Sequence, residues 1–361
     1  MSTEFWRMGA TPVPCSDIGR FARDMEDSGW DGLAVGEAHG LLPDPYLALA
    51  LAASATTTLK VGTAVAVPLR HPLLAADAMA TLQGIASGRA SFSIGRGDGA
   101  MKVLQRSAMP VRRFDAYLEQ LQGFLRGDDV EMDGTVASMA RLGTIDPCLN
   151  RTKPPVNVAA TGPRVIEVAA RRAEGVSFAV GADPERLRQS IDVALEACRA
   201  HGRDPDTLTL GCYVQVAVCD DGDRARARDA IRGLIMTHSR FSGFEGSALA
   251  EVAGDDERPI QRSLDAMEGV LRSSRGGTGR TAGGAPGELE FYPRDAVDDA
   301  FIDRFGIVGS AGYCAQRLQE ILDLGISRVY VGTRGVGIDL EERNTERIGR
   351  EVLPLLNRVA A

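Results

Sequence analysis

The chain has 361 residues, of which 44% are hydrophobic, 25% charged and 5% aromatic, a composition typical of a folded globular protein and not of a disordered or fibrous one. Its formal net charge of −8 disfavours nucleic acid and anionic membranes as partners, because phosphate attracts positive charge. The amino terminus lacks the basic start and apolar run of a signal peptide, and no apolar stretch of about 18 residues occurs, so we expect a cytoplasmic protein.

The cysteines and histidines form no metal-binding pattern. Six cysteines are scattered without a CxxC pair, and the four histidines include neither HxH nor HExxH. We therefore expect no catalytic metal. Because the chain has only three lysines (Lys60, Lys102 and Lys153), an anionic ligand is expected to be bound by arginine.

Strand-like and helix-like segments alternate along the chain, as in a parallel sheet with crossover helices. The predicted strands are 5–9, 32–36, 59–67, 90–95, 155–160, 175–180, 208–218 and 327–332. Helical spacing is clearest in the first helix, where Ile18, Phe21, Ala22 and Met25 recur. In the third, Leu74, Ala78, Leu82 and Ile85 are predicted to share one face.

Eight strands with intervening helices favour a closed (β/α)8 barrel, an α/β TIM barrel, over an open doubly wound sheet. We expect one domain over residues 1–361 with two insertions, about 128–153 and 239–305. The second contains the glycine-rich segment 273–287, which has too little apolar surface to offset its ordering entropy. It is predicted to be a mobile lid; the alternative is a surface insertion without catalytic role.

In such a barrel the active site lies at the carboxyl ends of the strands. After the second strand, Glu37 and His39 stand two residues apart, where both could act as acid, base or hydrogen-bond donor. The alternatives are a helix-capping glutamate and a loop histidine with ordinary partners.

After the fourth strand comes GRGDG (95–99), whose glycines let backbone amides approach a ligand closely. Their spacing is not that of a dinucleotide fingerprint, so a nicotinamide Rossmann domain is disfavoured. A tight turn without a ligand would use glycine similarly.

After the fifth strand comes Thr161-Gly162-Pro163-Arg164. Thr161 can cap the following helix and Pro163 suits its first turn, so the free amides there are a potential anion site. A cation in the first turn of a helix interacts unfavourably with the helix dipole, which for Arg164 costs about 0.3 to 1 kcal/mol. A phosphate bound there would reverse this cost. A solvated arginine is the alternative. A similar sequence, Gly332-Thr333-Arg334-Gly335, follows the last strand.

The segment VGTAVAVPLRHPLLAADAMATLQGIASGRASFSIGRGDGA (61–100) resembles the bacterial-luciferase-like oxidoreductases, and within them most closely the deazaflavin-dependent, methylenetetrahydromethanopterin-reductase-like branch. Similar segments are 29–39, 157–176 and 305–332, so the resemblance spans nearly the whole chain.

The resemblance implies a flavin or deazaflavin ring at the barrel mouth, its phosphate held by loop amides, and a cis peptide between Ala64 and Val65 behind the ring. The implied cofactor-binding residues are Ala64, Val65, Gly95, Arg96, Gly97, Thr161, Gly162, Pro163 and Arg164. Asp98 is expected near the ring. Many relatives carry a catalytic histidine where this chain has Ala38, which leaves Glu37 or His39 as the proton donor.

Three functions remain open at this point. The first is an oxidoreductase that moves a hydride between the deazaflavin coenzyme F-420 and a small organic substrate. The second is a monooxygenase that uses oxygen and reduced FMN from a separate flavin reductase. The third is a flavin-binding protein without catalysis. We also expect a homodimer.

Overall fold

Eight parallel strands close into a ring, which confirms the predicted (β/α)8 barrel. The computed structural model describes residues 2–9, 13–38, 42–97, 101, 104, 106–139, 152–243, 299–333 and 338–358. The barrel strands are β1 (Glu4–Gly9), β2 (Gly32–Val35), β3 (Lys60–Thr63), β4 (Ala90–Ile94), β7 (Val156–Ala160), β8 (Gly175–Phe178), β9 (Thr209–Val218) and β11 (Arg328–Gly332). They pair in this order, and β11 closes the ring on β1.

Three short strands lie outside this ring. β5 (Val130–Met132) and β6 (Thr135–Ala137) form an antiparallel hairpin within the first predicted insertion. β10 (Ile307–Gly309) pairs with the carboxyl end of β9.

The helices pack around the barrel. They are α1 (Ile18–Asp27), α2 (Pro45–Ala55), α3 (Pro72–Ile85), α4 (Val111–Arg126), α5 (Pro163–Arg172), α6 (Pro184–Ala200), α7 (Arg224–Gly243), α8 (Asp299–Phe305), α9 (Ala311–Leu322) and α10 (Ile338–Arg347). Several begin at a capping aspartate: the Asp44 carboxylate accepts from the backbone N–H of Tyr46, and the Asp183 carboxylate accepts from that of Glu185. The four apolar residues predicted for α1 are all buried.

The face of α3 that carries Leu74, Ala78, Leu82 and Ile85 is not its buried face. Leu82 is buried, but Leu74 is 59% and Ile85 42% exposed, and the residues packed inward include Ala75, Ala76 and Met79. Periodicity could not find the buried face because α3 is apolar on nearly all sides. The third strand is also shorter than predicted: β3 ends at Thr63, and beyond it Ala66 forms only an isolated bridge to Ile94.

The barrel interior is filled at its amino-terminal end and lined by small residues at its carboxyl-terminal end. The strand register turns Trp6, Tyr213 and Tyr330 inward, and the two tyrosine rings stack with centroids 4.8 Å apart. Glycine makes room for them: a Cβ on Gly32 would lie 2.4 Å from the Trp6 ring. Toward the carboxyl end the inward residues include Ala64, Ala159 and Ala179. The carboxyl end therefore has the shape of a mouth above an aromatic floor.

The described ends of the second predicted insertion are helical. α7 and α8 pack through Ile231, Ile235, Phe301, Ile302 and Phe305, which form an apolar cluster separate from the main core. The predicted lid segment 273–287 lies outside the described residues. Within the described ranges, no helix is both long enough and apolar enough to span a membrane.

Candidate active site

All nine predicted cofactor-binding residues lie after neighbouring strands at one edge of the mouth. Ala64 and Val65 follow β3, Gly95 to Gly97 follow β4, and Thr161 to Arg164 follow β7; these three strands are consecutive neighbours in the barrel. We call this edge the β3–β4–β7 wall. His39, Asp98 and Arg334 lie outside the described residues, so their predicted roles stay predictions.

The peptide between Ala64 and Val65 is cis, as the resemblance implied. Backbone hydrogen bonds hold the segment on both sides: the Ala64 N–H donates to the Val35 carbonyl at 2.9 Å, and the Ala66 N–H donates to the Ser93 carbonyl at 2.9 Å. The wall at this point is therefore backbone fixed by two neighbouring strands.

Glu37 binds this segment on the side away from β4. Its backbone N–H donates to the Val65 carbonyl at 3.2 Å, and its Oε2 accepts from the Val67 N–H at 2.8 Å. The side chain is buried, and its Oε1 lies 3.5 Å from Nε of Arg70. Glu37 does not cap a helix, since α2 is capped by Asp44. Its carboxylate orders the loop behind the cis peptide, and its predicted role as proton donor stays a prediction.

Two tyrosines contact Arg70 beside its ion pairs. Arg70 bonds Asp44 at 2.5 Å and lies over the Tyr46 ring, 4.3 Å from its centroid. The Tyr117 hydroxyl donates to the Arg70 carbonyl at 3.1 Å. Burial, followed by the negative charge of Glu37, raises the pKa of Tyr46 and of Tyr117, so both stay protonated at neutral pH.

Because Gly95 and Gly97 have no side chains, they leave the backbone of the β3–β4–β7 wall uncovered after β4. A Cβ on Gly95 would lie 3.2 Å from Cγ1 of Val65 and 3.6 Å from Cβ of Ala159, and Gly97 has φ +90°. Arg96 is bound to the following loop: its Nε donates to the Met109 carbonyl at 2.6 Å, and the Met109 N–H donates back to the Arg96 carbonyl at 3.0 Å. Arg96 therefore fixes the loop that continues from this wall.

At the start of α5 one prediction is corrected. The capping residue is Gly162, with φ −113° and ψ 158°, and no side chain caps the helix; Thr161 stands one residue too early. The Gly162 carbonyl instead accepts from the N–H groups of Val165 and Ile166, each at 3.1 Å. Pro163 occupies the first turn as predicted, and Arg164 is exposed beside it.

Gln215 is a site residue that the sequence analysis missed. It lies on β9 above the stacked tyrosines, with its side chain 5% exposed and its Oε1 without a hydrogen-bond partner. The sequence feature that could have indicated it is the one polar side chain in the otherwise apolar strand GCYVQVAV, two residues after the inward Tyr213.

These features fit a flat heteroaromatic group at the mouth. Bare backbone at Gly95 leaves space that a Cβ would fill. Among the described residues, no three His, Cys, Asp or Glu side chains are grouped to hold a metal ion.

The chain matches the family model "Luciferase-like monooxygenase" over residues 1–328 and belongs to that family. It is 24% identical over 343 residues to 5,10-methylenetetrahydromethanopterin reductase of Methanolobus tindarius, covering 94% of this chain and 96% of the relative. It is 30% identical over 266 residues to the F-420-dependent glucose-6-phosphate dehydrogenase of Beutenbergia cavernae, covering 69% and 76%.

Among solved structures, the F-420-dependent tetrahydromethanopterin reductase of Methanopyrus kandleri superposes with a TM-score of 0.72 at 20% identity, covering 98% of this chain and 99% of the other. The fold is shared over the whole barrel. The chain is therefore an enzyme of the luciferase-like oxidoreductase class, and the alternative of a non-catalytic flavin-binding protein falls away.

Proposed function

We propose that this enzyme transfers a hydride between coenzyme F-420 and a small organic substrate. The observation that carries the proposal is the β3–β4–β7 wall, where Gly95 presents bare backbone beside a mouth lined by small residues. The relatives reported above that are named for F-420 support the choice of cofactor.

The deazaflavin supplies a carbon centre that accepts or donates hydride and reacts poorly with oxygen. The chain's own part is to place the ring and substrate about 3 to 3.5 Å apart, to exclude water, and to move one proton. Ala64, Val65 and Gly95 would back the ring. The backbone N–H groups of Thr161 and Gly162, with Arg164, would hold the phosphate, and Pro163, which has no N–H, would shape the first turn beside them. Glu37 or His39 would supply the proton, with Asp98 near the ring.

The family description favours a second candidate, a monooxygenase that uses reduced FMN from a separate flavin reductase. The same wall would accept either ring, because both are flat and carry a phosphate-bearing side chain. The difference between the two candidates is therefore one of cofactor affinity and oxygen chemistry.

Titration of the purified protein with each cofactor distinguishes the candidates. We expect micromolar binding of F-420 and negligible binding of FMN, followed by loss of the F-420 absorbance when a substrate donates its hydride. Tight binding of reduced FMN with oxygen consumption would reject the hydride-transfer proposal in favour of the monooxygenase.

We also propose that two copies associate through α2 and α3. α2 contains no charged residue, α3 contains only Asp77, and Leu47 and Leu51 are 71% and 51% exposed. A face without charge lets two copies of a chain with net charge −8 approach without local repulsion. We expect Leu51→Glu to shift the protein from dimer to monomer in light scattering. Leu355→Glu, at a leucine 58% exposed elsewhere, is the matched control and should leave the dimer intact.

A further inference from the structure

The connection from β4 to α4 is strongly basic in an acidic protein. Residues 96–113 contain four arginines and one lysine but only one acidic residue, Asp98, whereas the whole chain has a net charge of −8. The four arginines, which we call the β4–α4 arginine patch, are Arg96, Arg106, Arg112 and Arg113. Charge of one sign gathered in one connection attracts ions of the opposite sign to that part of the surface.

None of the four arginines has a carboxylate partner among the described residues. On the surface between α4 and α5, by contrast, Arg172 lies 2.9 Å from Asp115 and 2.8 Å from Glu119. Within the described ranges, the patch makes one side-chain hydrogen bond, from Nε of Arg96 to the Met109 carbonyl. The remaining nitrogens of the four guanidinium groups are therefore available to an anion.

Backbone hydrogen bonds bring the arginines together. The Met109 N–H donates to the Arg96 carbonyl at 3.0 Å, and Nε of Arg96 donates back to the Met109 carbonyl at 2.6 Å. Arg106 stands three residues before Met109, and Arg112 and Arg113 follow it in the first turn of α4. Arg96 is partly exposed and the other three are exposed, so a ligand at the rim of the barrel can reach all four.

The patch lies beside the predicted phosphate-binding residues. β4 and β7 are paired neighbours, and β7 leads to Thr161 and the start of α5. Helix α4 packs against α5 through Asp115, which accepts from Nε of Arg172. Arg112 stands three residues before Asp115 and lies on the same face of α4, nearer the mouth. Because both helices begin at the mouth, this face of α4 looks toward the start of α5.

The side chain of the proposed cofactor matches this arrangement. In F-420 the phosphate is followed by lactate and then by glutamate residues with free carboxylates, whereas the side chain of FMN ends at its phosphate. Guanidinium groups bind carboxylates through paired hydrogen bonds. Each exposed pair contributes little by itself, so a cluster of arginines is needed for a measurable preference.

We propose that the β4–α4 arginine patch binds the glutamate carboxylates of F-420, beyond its phosphate. This inference rests on the proposed function, since it takes F-420 as the cofactor, and it adds which part of the cofactor these residues recognise. The patch then selects F-420 over FMN by the side chain, although the β3–β4–β7 wall accepts either ring.

Three deazaflavins that differ only in the side chain test the proposal by fluorescence titration. They are F-420 with its glutamates, the phospholactyl form without glutamates, and the ring with its ribityl chain alone. At low salt we expect the wild type to bind glutamylated F-420 about tenfold more tightly than the phospholactyl form. Raising NaCl to about 1 M, where the screening length is about 3 Å, should reduce this preference to within about twofold.

The triple variant Arg106→Gln, Arg112→Gln, Arg113→Gln removes the exposed cations and keeps Arg96, which holds the loop. We expect this variant to bind the glutamylated and phospholactyl forms with affinities within about twofold of each other at low salt. It should bind the ribityl form as tightly as the wild type does, which shows that the mouth is still folded.

A second triple variant, Arg23→Gln, Arg199→Gln, Arg343→Gln, is the matched control. It removes the same charge from exposed arginines on α1, α6 and α10. We expect it to keep the preference of about tenfold for the glutamylated form. An equal loss of preference in this control would show an effect of net charge and reject a role for the patch.

Three other outcomes would overturn the proposal. The first is an unchanged preference for the glutamylated form in the patch variant. The second is equal binding of the glutamylated and phospholactyl forms by the wild type at low salt. The third is a loss of affinity in the patch variant that is as large for the phospholactyl form, because the patch would then bind the phosphate and not the carboxylates.

The ribityl form separates this inference from the proposed function. If it binds and the glutamates add no affinity, the proposed function is unaffected and this inference alone is rejected. If none of the three deazaflavins binds while FMN does, the proposed function is rejected, and the role of the patch in binding F-420 is rejected with it.

Discussion

The two ends of the barrel differ in how their buried polar groups are paired. At the amino-terminal end, Glu4 accepts hydrogen bonds from Trp6 Nε1, from Lys60 and from Arg328, whose guanidinium also lies 5.4 Å from the Trp6 ring centroid. At the carboxyl-terminal end, small residues line the mouth and the Gln215 carbonyl has no partner. The charged groups of Glu4, Lys60 and Arg328 at the amino-terminal end are paired with one another, whereas the carboxyl-terminal end keeps bare backbone and small residues around an open space.

This difference indicates that the amino-terminal end of the barrel stabilises the fold and that the carboxyl-terminal end binds ligands. Burial tends to raise the pKa of Glu4, but Arg328 and Lys60 reverse this and hold it below its ordinary value, so the carboxylate is charged and compensated. Substitutions at the two ends should therefore separate unfolding free energy from ligand affinity.

The largest effect is expected for Arg328→Met at the amino-terminal end. The substitution leaves the buried Glu4 with Lys60 as its remaining cation, and breaking a buried pair costs about 3 to 5 kcal/mol, here about 3 because Lys60 remains. Urea unfolding should show this loss, with cofactor affinity unchanged. The double variant Glu4→Gln, Arg328→Met should regain part of the stability. Weakened cofactor binding in stably folded Arg328→Met would contradict the separation of the two ends.

At the mouth, Arg164→Ala should weaken cofactor binding by about 1 to 3 kcal/mol, the range for a charge-assisted hydrogen bond to phosphate. Its unfolding free energy should change little, because Arg164 is exposed. Arg188→Ala, an exposed arginine on the neighbouring helix α6, removes the same charge and serves as the control. Equal cofactor affinity in both variants would mean that Arg164 does not bind the cofactor phosphate.

Gly95→Ala tests whether the exposed backbone of the β3–β4–β7 wall backs the cofactor ring. The added Cβ would lie 3.2 Å from Cγ1 of Val65, so a neighbour must shift by a few tenths of an ångström, and the surface that backs the ring changes shape. We expect cofactor affinity to fall by about tenfold with a smaller change in stability. Gly312→Ala on α9, where nothing lies within 4 Å of the added Cβ, is the control and should leave cofactor affinity unchanged. Undiminished affinity in Gly95→Ala would place the ring elsewhere in the mouth.

The sequence allowed prediction of the architecture but not of the finer contacts. Strand positions were predictable because buried parallel strands and amphipathic helices have different periods, and the cis peptide because its segment resembles a known family. The face of α3 was not predictable, since a helix that is apolar all round carries no directional signal. Gln215 was missed because inward and outward positions on a doubly buried strand look alike until the register is known.

The smallest effect concerns Glu26, in a contact at the amino-terminal end that should depend on pH. Its carboxylate accepts from the N–H groups of Thr57, Thr58 and Leu59 and from the Thr58 hydroxyl, which ties α1 to the start of β3. Desolvation raises the pKa of Glu26, but these hydrogen bonds outweigh it and lower the pKa from 4.5 to about 2.

Because this folded-state pKa lies below the unfolded value, the stabilisation by Glu26 is present above about pH 4.5 and is lost as pH falls toward 2. Solvent screening at this partly exposed site reduces it to about 1 kcal/mol. Glu26→Gln should therefore lower the urea midpoint at neutral pH, and the difference from the wild type should shrink in acid. Asp27→Asn, at the exposed neighbouring residue, is the control and should show no such pH-dependent difference. A Glu26→Gln deficit that stays constant down to about pH 2 would mean that the packing of the side chain, and not its charge, joins α1 to β3.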